Sequence, residues 1–131
     1  IRGLIVPLIK MLQKYPEYEQ EIKVPEKIWP LRIWYMYDQD VCTLIDVNEQ
    51  EQKVAVKNYT DKIMFRAFGT VEHPDYSQYL EFLKSRCFPE SRDKMKLVLR
   101  DLGLPFYDPI MIIEKTEGRM AEDDFWIRIE R

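Results

Sequence analysis

Leu4, Ile5, Leu8, Ile9 and Leu12 recur at spacings of three and four, the stripe of one helix face. Pro7 is tolerated in a first helical turn, so the helix proper begins near it. Pro16, Pro25 and Pro30 then interrupt the pattern, and the stretch from Glu17 to Pro30 holds at most a short helix and is otherwise a connector. At Leu31 the period changes to two. Leu31–Tyr37 is β-branched and aromatic, Asp38-Gln39-Asp40 is a turn, and Val41, Thr43, Ile45 and Val47 alternate with Cys42, Leu44 and Asp46. A polar turn over Asn48–Gln52 leads to a third strand, Lys53–Tyr59, and the three together predict an antiparallel meander. The stretch from Ile63 to Phe68 fits a fourth strand or a loop.

Helical spacing returns after His73-Pro74. Tyr76, Tyr79, Leu80 and Leu83 fall on one face, with Pro74 and Asp75 suited to the helix start. A second helix carries Met95, Val98, Leu99 and Leu102, with Ser91 as the candidate N-cap and Gly103 at the position past the helix end where positive φ is needed. Asp108-Pro109 repeats the start signal for a third short helix through Ile110 and Ile113, stopped near Gly118. Alternation from Asp124 to Ile129 closes the chain with a strand. An N-terminal helix, a strand meander, three helices and a closing strand make an α+β fold rather than regular βαβ alternation. The division expected is an N-terminal helix and connector over 1–30, continuing from residues upstream of Ile1, and an α+β binding domain over 31–131.

The bulk numbers fit one domain with a real core: 131 residues, 46% hydrophobic and 13% aromatic. Lys and Arg are interleaved with Asp and Glu at a net charge of −3, without the basic patch that direct nucleic-acid binding needs. No apolar run approaches the ~20 residues that span a bilayer, and no secretory leader pattern is present. Cys42 and Cys87 form no CxxC pair and read as reduced, partly buried thiols, which places the chain in the cytoplasm.

Catalytic chemistry finds few materials. His73 is the one histidine, before a proline at a helix start, where it reads as a surface or capping residue. Cys87 and His73 flank the same predicted helix at opposite ends, roughly 18 Å apart at 1.5 Å per residue, too far for a nucleophile–base hydrogen bond. One His and two distant Cys make no zinc site, Glu122-Asp123-Asp124 reads as a solvated turn, and no glycine-rich phosphate loop or kinase catalytic loop occurs. Glu81 and Glu90 do not stand out from surface charge. No cofactor and no enzymatic activity are expected. Trp29, Trp34, Trp126 and eight tyrosines exceed what a core this size easily absorbs: most of them are expected in the α+β core, with some aromatic surface that favours a protein partner.

From Val41 onward the order of segments resembles the N-terminal subdomain of HipA-type kinases and the small stand-alone protein that corresponds to it in split systems. Val41-Cys42-Thr43-Leu44 stands where the family has a "VGTL" strand, leading through a hairpin to Lys53–Tyr59. Phe82-Leu83-Lys84-Ser85-Arg86-Cys87-Phe88-Pro89-Glu90-Ser91-Arg92 matches a helix end of the form "F-x-x-L-L-P-E-G-x-x-R", and Leu102-Gly103, Asp108–Thr116, Gly118 and Phe125–Ile129 follow the family's order. Cys42 and Ser91 replace family glycines, and Arg119–Asp123 replaces a run of small residues. The resemblance implies an antitoxin or accessory role: a module that packs beside a separately encoded Ser/Thr kinase core and regulates it, with a helix-turn-helix DNA-binding protein as a common third component. It also implies a contact surface from Arg86, Phe88, Pro89 and Arg92, with Gly118, Arg119, Asp124 and Trp126. The alternative expectation is a DNA-associated transcriptional regulator whose helix-turn-helix lies upstream of Ile1.

Overall fold

The computed structural model describes residues 24–131, and the helix expected over Leu4–Leu12 lies outside them. Strands β1 (Leu31–Tyr37), β2 (Asp40–Asn48) and β3 (Lys53–Asn58) form the expected meander. Helices α1 (Tyr76–Ser85), α2 (Met95–Leu102) and α3 (Pro109–Thr116) follow, and β4 (Phe125–Glu130) closes the chain. The described residues are thus α+β, with one antiparallel sheet ordered β3-β2-β1-β4. The closing strand returns beside the first, so β1 is central and β3 and β4 are the edges.

Residues that the sequence pattern singles out explain the element ends. The two-residue turn between β1 and β2 places Asp38 at φ 50°, a conformation Asp tolerates better than most residues. Asp75 caps α1 in a reciprocal box: its carboxylate accepts from the Gln78 amide at 2.8 Å, and the Gln78 side chain accepts from the Asp75 amide at 2.9 Å. Asp108 caps α3 with Pro109 as its first residue, and Gly103 ends α2 at φ 75°.

One open choice is settled and two expectations are corrected. Ile63–Phe65 is a single 3-10 turn, which settles the open choice against a fourth strand there. Ser91 does not cap α2: it sits in an exposed turn where the Arg92 amide bonds the Pro89 carbonyl, and the helix starts from Lys94 at φ 58°. On α1 the inward stripe is Tyr79, Phe82 and Leu83, while Leu80 is 40% exposed. Phe82 packs edge-on against Tyr35 of β1, and the stripe Tyr79, Phe82, Leu83 continues at helical spacing to Arg86. That continuation points an arginine inward.

The two inner strands, β1 and β2, are buried on both faces. Against the helices lie Leu31, Ile33, Ile45, Val47 and Ile127, packed with Tyr79, Leu83, Leu99, Ile112 and Ile113. On the opposite face Val24, Trp34, Met36, Val41, Leu44 and Trp126 make a second cluster. A register shift between Tyr35 and Met36 leaves Cys42 as an extra residue in β2. The bulge lets Cys42 join the helix-side core while its neighbour Val41 joins the other. Amid the second face, Arg32 and Asp46 are cross-strand partners joined at 2.7 and 2.9 Å, with Arg32 wholly buried and its Nη1 without an acceptor. Double-sided burial takes up the tryptophans: Trp34 is buried and Trp29 half-buried, and Trp126, expected at the contact surface, is buried as well.

Candidate functional site

Arg86 follows the last residue of α1 and is 6% exposed. Its guanidinium donates to the Gly118 carbonyl at 2.9 Å, to both Asp123 carboxylate oxygens at 2.9 and 3.0 Å, and to the Phe125 carbonyl at 3.0 Å. The guanidinium also lies about 6 Å from the stacked rings of Tyr35 and Phe125. One side chain therefore ties the end of α1 to the 118–124 loop and to the edge of β4. The bidentate bond from Arg86 holds the Asp123 carboxyl below the usual carboxylate range. Asp123 also accepts from the Phe125 amide at 3.0 Å, so this acid is anchored within the exposed turn expected for the acidic run.

Gly118 is buried at φ 60°, and a β-carbon there would come within 3.2 Å of Ile127 Cδ1 and 3.4 Å of Arg86 Cβ. The loop thus passes tightly over β4 and then turns outward. Arg119 emerges from it, pairs with Glu117 at 2.9 Å and lies 4.9 Å from the Trp126 ring centre. Trp126 is itself 2% exposed, and its indole N–H donates to the Asp38 carbonyl at 2.7 Å. On the other side, Arg92 lies 5.7 Å from the Phe88 ring centre, and the Tyr107 hydroxyl donates to the Phe88 carbonyl at 2.8 Å.

Two shallow clefts flank the loop. One, of about 240 Å³, is lined by Arg86, Phe88, Arg92 and Arg119 with Met120 and Glu122. The other, of about 280 Å³, is lined by Asp38, Gln39, Arg119, Met120, Asp124 and Trp126. Arg119 and Met120 form the ridge between them. Of the eight residues singled out from the sequence, six line these clefts, and Pro89 and Gly118 do not. Their roles differ. Arg86, Gly118 and Trp126 are buried and shape the surface from below, whereas Pro89, Arg92, Arg119 and Asp124 are exposed and Phe88 is half-buried. The turn over 118–124 that carries Met120 and Asp123 was part of the surface expected from the sequence, but the pairing of Asp123 with Arg86 and the place of the Asp38-Gln39 turn beside it were missed. No local pattern marks Asp123, because its partner Arg86 is 37 positions away.

The thiols are shielded. Burial, with Asp40 and Asp108 nearby, pushes Cys42 and Cys87 up to about 11, so both are protonated at neutral pH. Cys87 Sγ donates to the Leu83 and Pro109 carbonyls at 3.3 and 3.6 Å. Among the described residues no cluster of His, Cys, Asp and Glu could hold a metal ion, and no helix is long and apolar enough to cross a membrane. No protein-family model, curated protein or solved structure matches the chain.

Proposed function

We propose that this chain is a non-catalytic protein-binding module that docks on a Ser/Thr kinase core of the HipA type and regulates it, using the ridge and clefts around Arg92 and Arg119. The observation that carries the reading is the convergence of segments 86–92 and 118–126, far apart in sequence, on one surface through Arg86. Those are the two segments for which the family resemblance implies contact. The chemistry on offer suits recognition. Two exposed arginines sit over aromatic rings beside a methionine, the residue types enriched at protein interfaces. Both thiols are held in the form that is a poor nucleophile.

The test is capture of the tagged chain from its native host, followed by calorimetric titration of the kinase recovered. Arg92→Glu and Arg119→Glu replace exposed cations, so both variants should keep the wild-type circular dichroism spectrum. Each should weaken kinase binding about tenfold or more, the range for an arginine at an interface centre. Two folded variants that bind as tightly as wild type would remove the surface from consideration, and a host pull-down with no kinase would remove the partner.

A further inference from the structure

The loop between α3 and β4 is held at both ends by the same side chain. At its start the Gly118 carbonyl accepts from Arg86 Nε at 2.9 Å, the Gly118 amide donates to Thr116 Oγ1 at 3.1 Å, and the Arg119 amide donates to the Thr116 carbonyl at 3.2 Å. At its end the Asp123 carboxylate accepts from the two terminal nitrogens of Arg86 at 2.9 and 3.0 Å, and the Asp124 carbonyl accepts from the Asp38 amide at 3.0 Å. Arg119, Met120, Ala121 and Glu122 run between these anchors, and all of them line the clefts of the candidate surface. A guanidinium is planar and rigid, so its three nitrogens donate in fixed directions. One fork therefore fixes residue 118 relative to residue 123, and its bond to the Phe125 carbonyl fixes both against β4.

We infer that Arg86 is a positioning residue for partner binding: its fork, more than its charge, sets the gap between the ends of the 118–124 loop and so presents Arg119 and Met120 in the geometry that the partner meets. The consequence for binding rests on the docking surface proposed above. At 6% exposure Arg86 itself offers a partner almost nothing to touch. A lysine at this position would keep the cation, but its donors leave one atom on a flexible stem and fix no spacing between the two loop ends. Each backbone residue that must be ordered on binding lowers affinity by about a factor of ten, so a loop ordered in advance gains at least that much.

The order of the loop is measured first, by NMR relaxation of the Arg119–Glu122 amides in the free full chain. Wild type should give order parameters near about 0.85, and Arg86→Lys should lower them below about 0.6 there while α1 and β4 keep theirs. An unchanged circular dichroism spectrum separates this from unfolding. Asp123→Asn removes the charge but keeps an acceptor for the Phe125 amide and one for Arg86, so it should loosen the loop less than Arg86→Lys does. If charge were the device, the lysine variant would be the milder of the two. Calorimetric titration with the kinase core recovered from the host should then show Arg86→Lys binding at least about tenfold more weakly. A loop that stays ordered in Arg86→Lys, or that loosens more in Asp123→Asn, overturns the inference, as does a loosened loop that binds the kinase as tightly as wild type. If Arg86→Lys does not fold, Asp123→Asn decides alone, and an unchanged loop in that variant overturns the inference. A host without such a kinase removes the docking reading and leaves the loop result standing, because order is measured without a partner.

Discussion

Replacing Asp123 with alanine tests whether Arg86 holds the candidate surface together. The variant removes two charge-assisted bonds and leaves a guanidinium 6% exposed, with the Gly118 and Phe125 carbonyls as its remaining acceptors. Breaking a fully buried pair costs about 3–5 kcal/mol, because the charge left behind is uncompensated. The Asp123 side chain is 31% exposed and two acceptors persist, so solvent screening lowers the expected cost to about 2 kcal/mol. Arg86→Met, which removes all four bonds and orphans two carbonyls, should cost about 3 kcal/mol. Urea unfolding of the full chain, followed by tryptophan fluorescence, reads these values. With a slope of about 1–3 kcal/mol per molar, the midpoint for Asp123→Ala should fall by about 1 M with the slope unchanged. The double variant should lose much less than the sum, because each change removes the same interaction. The pH dependence has a definite sign. The Asp123 pKa is lowered in the folded state, chiefly by its bond from Arg86, so its stabilisation is present above the unfolded carboxyl value of about 3.9 and is lost as pH falls through the lower folded value. The gap between wild type and Asp123→Ala should therefore close in acid. A midpoint within about 0.2 M of wild type at pH 7, against the ~1 M expected from the slope, would refute this account of Arg86.

Further predictions follow from the other buried groups. Asp46→Ala strands the wholly buried Arg32 and should destabilise by about 3–5 kcal/mol, whereas the paired change Arg32→Met with Asp46→Leu should recover most of that loss in thermal melts. Cys42 and Cys87 should react with a thiol reagent at pH 8 far more slowly in the folded chain than in urea. Their folded values of about 11 lie above the unfolded thiol value of about 8.5, so their contribution to stability is complete below the unfolded value and should be lost as pH rises toward 11.

Local chemistry made much of the fold legible. Asp75, Asp108-Pro109 and Gly103 act through neighbours within four residues, and each sits at the helix end that its side chain or backbone freedom suits. The strands were readable because alternation over Leu31–Val47 and Lys53–Tyr59 is a property of the strand itself. What was not legible depends on distant partners. Nothing near Phe125 says that β4 returns to pair with β1, and nothing near Arg86 says that its acceptors lie 32 to 39 positions on. The two segments of the candidate surface could be named from their likeness to a family, but only Arg86 turning inward brings them together. Trp126 was expected at the contact surface and is buried, because a period of two does not reveal that both faces of a strand are covered.

The bonds that anchor the 118–124 loop also act on how the sheet can grow. The Glu117 carbonyl and the Arg86 guanidinium occupy outward-facing groups in the first half of β4, so a strand arriving at that edge would find part of its ladder already taken. The same contacts that bring segments 86–92 and 118–126 together therefore also guard this edge against edge-to-edge association.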